Sequence, residues 1–262
     1  MVGKTTLSGL RILIVNDDSI NSHGIRALER IANSITPDVW VVAPEIGQSG
    51  KGFSVTFDSI LRINEISPRK FSVSGTPADS VFVALGQILS DKKPDLILSG
   101  INHGANIADF IGVSGTIGAA FAAASQGIKA IAISQHFESE SPTKFPLIDH
   151  FLPMIIKKLM SISWPEHVCM NVNFPDASFG ETRGVKIARQ GRLEVTWKVY
   201  RRSDPVDKPY YWIHATHKRK EETNSDAVLV EKENYVTITP LQCRQEFPEY
   251  MTKLEELFAS NA

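Results

Sequence analysis

Short runs of apolar, largely β-branched residues recur along the first 175 positions, each followed by a longer stretch with helical spacing. Arg11–Val15, Val39–Ala43, Asp95–Ser99, Ala130–Ser134 and His167–Asn173 read as strands that are apolar on both faces. Between the first two, Gly24–Ile35 sets Ile25, Leu28, Ile31 and Ala32 on one helical face. Ser80–Leu89, Ser114–Gln126 and Pro146–Ser161 also read as helices, with Pro153 kinking the last one or marking its true first turn. Strands buried on both sides need helices on both sides. The chain is therefore expected to form an α/β fold with a doubly wound, mostly parallel, Rossmann-like sheet.

After Pro175 the alternation stops. Gly184–Arg189, Leu193–Tyr200, Tyr210–His214, Ala227–Val230 and Tyr235–Thr239 read as strands with no helix between them. Arg201–Lys208 is charged and contains a proline, as an exposed loop or arm would be. Pro248–Ala262 ends the chain as an amphipathic helix with Met251, Leu254, Leu257 and Phe258 on one side. The expected organisation is an N-terminal extension over 1–9, an α/β metal- and phosphate-binding core over 10–180, and a β-rich extension with its helix over 181–262. No period of 20–50 residues recurs, which excludes a solenoid.

Composition narrows the partners. Lys and Arg total 28 against 29 Asp and Glu. That balance argues against a protein that coats polymeric nucleic acid by neutralising many phosphates, though not against a small phosphate ligand. Cys169 and Cys243 are far apart, so neither a disulfide framework nor a thiolate zinc site is expected, and a reducing cytoplasm suits them. No apolar run approaches the roughly 20 residues that span a bilayer, so no membrane association is expected. The start of the chain has no signal-peptide pattern, and Gly3-Lys4-Thr5-Thr6 lacks the glycine-rich loop of a phosphate-binding P-loop and reads as a frayed extension.

Ligands of an open α/β sheet bind beyond the carboxyl ends of its strands, and four unusual clusters fall there. Asn16-Asp17-Asp18 puts two carboxylates side by side, which repel unless a proton or cation compensates. Hard oxygens favour Mg²⁺, Mn²⁺ or Ca²⁺, while one Asp capping the next helix explains the pair equally well. Ser49, between Gln48 and Gly50, could aim its hydroxyl at a neighbouring site or simply belong to a turn. In Ser99–Asn106 two glycines permit close backbone approach, and Asn102 and Asn106 offer amide groups; His103 reads as an exposed loop histidine. Ser114-Gly115-Thr116 opens an Ala-rich helix, either as an anion site or as an ordinary N-cap. A cation site beside an anion cradle suits phosphoryl transfer.

With these clusters in hand the chain resembles the SurE family of survival-protein nucleotidases. The resemblance rests on Ile14-Val-Asn-Asp-Asp18, Val42-Ala-Pro with Gln48-Ser-Gly50, Gly75-Thr-Pro-Ala-Asp79, Pro94–Asn102 and Ser114-Gly-Thr116. It continues through Asn171-Val-Asn-Phe-Pro175, Pro209-Tyr-Tyr-Trp212 and Val236–Leu241, in order over nearly the whole chain. It implies a SurE-type fold and a metal-dependent phosphomonoesterase acting on nucleoside 5′- and 3′-monophosphates, with exopolyphosphatase activity in some members. Asp17, Asp18, Ser49 and Asn102 match the family's ligands to one divalent metal per subunit, Mg²⁺ or Mn²⁺, and Asp17 and Asp18 are its catalytic candidates. Asn106, Ser114, Gly115 and Thr116 match the positions that hold the substrate phosphate. The family also implies a homodimer or homotetramer that exchanges C-terminal segments.

The chain departs from the family pattern in places. Ser19 stands where glycine is usual, Phe110 where an acidic residue is common, Val113 where tyrosine often precedes the Ser-Gly-Thr triplet, and Ala122-Ala123 where Glu-Gly is frequent. Phe110 and Ala122 motivate a rival reading, a nucleotide-binding protein that keeps the metal-dependent pocket and has lost turnover. A receiver-type phosphorylation module fits worse, being much shorter. A dinucleotide enzyme fits worse again, because the turn after the first strand lacks its glycine pattern.

Overall fold

The structure is a computed structural model that describes residues 7–137, 145–243 and 247–259. In chain order the core begins with β1 (Ile12–Val15), α1 (His23–Asn33), β2 (Val39–Pro44), β3 (Ile63–Ser67), β4 (Lys70–Val73) and α2 (Pro77–Val83). It continues with β5 (Leu96–His103), α3 (Gly115–Ser125), β6 (Lys129–Gln135), α4 (Pro146–Met160) and β7 (Val168–Phe174). The remainder comprises β8 (Val185–Ile187), β9 (Leu193–Ser203), β10 (Pro209–Arg219), α5 (Asp226–Glu231), β11 (Val236–Gln242) and α6 (Pro248–Ala259).

Nine strands form one sheet in the order β3-β4-β2-β1-β5-β6-β7-β11-β8. From β4 to β7 all neighbours are parallel; β3 runs against β4, and β11 runs against β7. Successive apolar residues of the central strands enter opposite cores. Ile12, Ile14, Leu96 and Leu98 pack with α1 and α4, whereas Leu13, Val15 and Ile97 pack with α2 and α3. That division is why the strands are apolar at every position. The sheet grows outward from β1 in one direction through β2 and β4, and in the other through β5, β6 and β7. The carboxyl ends of β1 and β5 therefore frame the switch point where such folds bind ligands.

Several elements differ from the expectation. Ala227–Val230 is not a strand but lies in α5, where the Ser225 hydroxyl caps the Val228 amide. Four buried apolar residues in a row carry no period, so spacing alone cannot separate helix from strand there. The Ser80–Leu89 helix starts earlier, at Pro77, under a capping box between Thr76 and Asp79, and ends in a π-helical turn over Ala84–Ile88. Strands β3 and β4 lack the apolar run of the core strands: every residue of β3 is exposed, and β4 buries only Ser72 and Val73. Arg201–Ser203 belongs to β9 rather than to a loop, and Pro153 sits inside α4. Strands β9 and β10 form a separate two-stranded ribbon. The Gly3–Thr6 segment and the last three residues of the expected terminal helix lie outside the described residues. Among the described residues no helix is long and apolar enough to cross a membrane.

Candidate active site

Strand β1 ends in a tight reversal that presents Asp17 and Asp18. Asn16, fully buried, holds this turn by donating from Nδ2 to the Ser19 carbonyl (2.8 Å) and the Ser22 hydroxyl (2.9 Å). The turn requires a left-handed residue, and Ser19 supplies it with φ of 98°. A serine there carries strain of about 1–3 kcal/mol, against which the extra freedom of an unfolded glycine costs about 0.4–1 kcal/mol. Ser19→Gly is therefore expected to raise stability by about 0.5–2 kcal/mol, read as a higher denaturant midpoint; an unchanged or lower midpoint contradicts the strain.

Asp17 is 4 % exposed, and its Oδ1 accepts a 2.6 Å hydrogen bond from the Thr116 hydroxyl at the start of α3. Gly115 makes this approach possible, because a Cβ there would lie 2.8 Å from the Asp17 Cβ and 3.0 Å from Oδ2. The Asp17 carbonyl accepts from the Gln48 amide (2.7 Å), which draws the Ser49 loop over the carboxylate. Asp18 Oδ2 accepts from the His103 amide (3.0 Å) at the end of β5, while Asn102 Nδ2 donates to the Gly104 carbonyl (2.7 Å).

Asn106 is held from three sides. Its amide donates to Asn173 Oδ1 (2.8 Å), its carbonyl accepts from the Nδ2 groups of Asn171 and Asn173, and its own Nδ2 donates to the Ser134 hydroxyl. The Ser114 hydroxyl caps the Ile117 amide (3.1 Å). At the head of α3, the Gly115 and Thr116 amides precede the first intrahelical bond and face no backbone acceptor among the described residues; the Thr116 amide is turned to the Asp17 carboxylate.

These groups converge on a cavity of about 210 Å³ lined by Asp17, Ser49, Asn102, Asn106, Phe110 and Ser114. Gly115 and Thr116 stand behind Asp17, and the Thr116 hydroxyl is committed to it. Asp18 instead lines an adjoining cavity. Burial drives the Asp17 carboxyl up to about 6; the neighbouring Asp18 adds to the rise and the Thr116 hydroxyl opposes it. Burial likewise raises Asp18, against the bond from the His103 amide. Among the described residues no Lys, Arg or His side chain pairs with either carboxylate. Two adjacent carboxylates with no ion-pair partner, Asp18 feeling only the nearby His103 charge, form with a hydroxyl and an amide a hard-oxygen donor set that fits Mg²⁺ or Mn²⁺.

The family model described as "Survival protein SurE" matches residues 12–197. The chain belongs to the survival protein SurE family. It is 43% identical over 237 residues to a protein of Paramagnetospirillum magneticum named 5′-nucleotidase SurE, covering 89% of this chain and 90% of that one. A protein of the same name from Parvibaculum lavamentivorans is 41% identical over 243 residues, covering 92% and 88%. The crystal structure of a SurE protein from Aquifex aeolicus superposes with a TM-score of 0.80 at 36% identity, over 94% of this chain and 98% of that one. The doubly wound sheet is thus a SurE fold.

Reading the sequence alone counts Asn171 and Asn173 only as part of the family pattern and gives neither them nor Ser134 a role, yet all three seat Asn106. Their signal was present: Asn171 and Asn173 are two residues apart on a buried strand, so both point to one face of an otherwise apolar β7.

Proposed function

We propose that this chain is a phosphomonoesterase that releases phosphate from nucleoside monophosphates with the help of one divalent cation. The observation that carries the reading is the buried Asp17 carboxylate, fixed by Thr116 and facing Ser49, Asn102, Asn106 and Ser114 in one cavity. The name 5′-nucleotidase borne by the relatives supports the substrate class. Asp17, Asp18, Ser49 and Asn102 would hold the cation. When bound, it supplies Lewis acidity, polarising a phosphoryl oxygen and making water more acidic.

The chain's own groups do the positioning. Ser114 and the Asn106 side chain, with the Gly115 amide at the head of α3, receive the phosphoryl oxygens and stabilise their charge, while the Thr116 amide and hydroxyl stay on Asp17. Asp17 or Asp18 takes the proton of the attacking water. The water oxygen bonds to phosphorus as the phosphorus–ribose oxygen bond breaks, and the proton taken by the carboxylate passes, directly or through solvent, to the ribose oxygen, which leaves as the hydroxyl. Hydrolysis of 3′-monophosphates and of polyphosphate ends extends the same reading, since the phosphoryl group is the part these residues hold. A panel of AMP, GMP, 3′-AMP and short polyphosphate with Mn²⁺ or Mg²⁺ ranks these substrates. Nucleotide binding without phosphate release from any of them would favour the binding-protein reading instead.

The assembly we assign is a homodimer or homotetramer through the C-terminal segments. Trp197, Tyr211, Trp212 and Ile213 are exposed on the β9–β10 ribbon, and Met251, Leu254, Leu257 and Phe258 on α6, an apolar load that a second copy would cover. Light scattering is expected to give two or four times the 29.0 kDa chain mass; a single-chain mass contradicts the assignment. The free thiols of Cys169 and Cys243 suit the cytoplasm, where we place the protein.

A further inference from the structure

The motif Gly75-Thr-Pro-Ala-Asp79 does not line the phosphate cavity, yet it ends in a carboxylate that is only 1 % exposed. Asp79 closes the capping box of α2: its Oδ2 accepts from the Thr76 amide (2.9 Å), and its own amide donates to the Thr76 hydroxyl (3.1 Å). Helix capping asks no more of it. The other bonds leave the helix. Asp79 Oδ1 accepts from the Thr56 amide (2.9 Å) and Oδ2 from the Thr56 hydroxyl (2.7 Å), while the Thr76 hydroxyl donates to the Ser54 carbonyl (2.7 Å). Among the described residues no Lys, Arg or His side chain pairs with Asp79. The cost of burying it is therefore offset by these donors, and half of the effort goes to a loop rather than to α2.

That loop leaves β2 and carries Ser49. Nearer its start it is tied by the Gln48 amide to the Asp17 carbonyl and by the Gly52 amide to the Val113 carbonyl. Its Phe53 ring stacks on Phe82 of α2 with centroids 6.5 Å apart. Ser49 itself is exposed, and its hydroxyl makes no hydrogen bond among the described residues. Its place at the cavity is set by where the backbone on either side is held. A metal ligand on a loop contributes fully only when the loop arrives already in position.

We infer that Asp79 is a positioning residue for the divalent cation: through Thr56 it fixes the loop that offers Ser49, and so raises metal affinity from outside the donor set. The inference rests on the proposed cation site.

Calorimetric titration of chelator-stripped protein with Mn²⁺, in the absence of nucleotide, reads the effect, with Asp17→Asn as the blank for binding elsewhere. Outer partners that orient metal ligands contribute about 10- to 100-fold in affinity. Asp79→Asn is expected to weaken Mn²⁺ binding by about that factor, because an amide nitrogen would face the Thr56 or Thr76 donors. That variant also disturbs the cap of α2, so Thr56→Val supplies a separate test: it removes one donor and leaves the Thr76–Asp79 box intact. Thr56→Val should weaken binding in the same direction, and Thr56→Ser, which keeps the hydroxyl, should restore it. In AMP hydrolysis both losses should appear as a higher Mn²⁺ requirement, with kcat at saturating Mn²⁺ changing far less. A purely structural role predicts lower melting temperatures with wild-type Mn²⁺ affinity, and that result in folded Thr56→Val overturns the inference. A wild-type chain that binds no Mn²⁺ overturns the cation site and this inference together. One that binds Mn²⁺ but hydrolyses nothing defeats the hydrolase reading alone, and the binding titrations still decide the role of Asp79.

Discussion

Replacing Asp17 with asparagine is expected to lower the turnover of AMP by about 10²–10⁴-fold, with the fold retained. The asparagine fills the same space, and the Thr116 hydroxyl that now donates to Oδ1 can instead accept from an amide. It removes the charge that burial and Asp18 both oppose in the metal-free protein, so the melting temperature should not fall. On the proposed function, what is lost is a ligand to the cation and a proton acceptor. Steady-state phosphate release alongside thermal melts reads both effects. Full activity in this variant, with metal present, would contradict the placement of the site.

The second large effect is expected at Gly118. An alanine inside a helix normally gains about 1 kcal/mol over glycine. In α3, however, a Cβ on residue 118 would lie 2.0 Å from the Gly52 carbonyl oxygen and 2.9 Å from the Phe53 amide nitrogen, both backbone atoms that cannot rotate away. Overpacking of this kind costs about 1–3 kcal/mol or more, so the clash outweighs the helix gain and Gly118→Ala should lose about 2 kcal/mol. Activity should drop with it, because Gly52 follows Ser49 in the same loop and its amide donates to the Val113 carbonyl (2.9 Å), next to Ser114. Gly86→Ala is the control: a Cβ there meets nothing within 4 Å, so stability should hold or rise. A neutral Gly118→Ala would mean that the loop does not rest on α3.

Both expectations concern residues whose importance is unevenly written in the sequence. The doubly apolar strands declare the parallel sheet because the side chains of β1 and of Leu96–Leu98 in β5 alternate between two cores. The sheet then makes Asp17, Asp18, Asn102 and Asn106 legible, since they lie at or just beyond the carboxyl ends of strands that must face the crevice. Gly118 shows the limit. It reads as an ordinary glycine in an Ala-rich helix, and only the packing of the Gly52 loop against it reveals a close approach. The division of labour within Ser114-Gly115-Thr116 is hidden for the same reason. One hydroxyl caps a helix, another binds Asp17, and the glycine clears space, all set by contacts distant in the chain. Strand β3 and helix α5 escape a reading by periodicity because one is wholly exposed and the other is a short buried run. Ser19 is the opposite case. A polar residue after an Asp pair gives no hint of strain until its φ is known, yet the family pattern points to glycine there.

The central claim is that the oxygens around Asp17 hold a divalent cation needed to cleave a phosphomonoester. Chelator-stripped protein, titrated with Mn²⁺ in the presence of AMP while free phosphate is followed, tests it most directly. The expected result is no release before metal is added and a rise that saturates near one equivalent per chain. Undiminished release in chelator, or none at any Mn²⁺ or Mg²⁺ concentration, would contradict it.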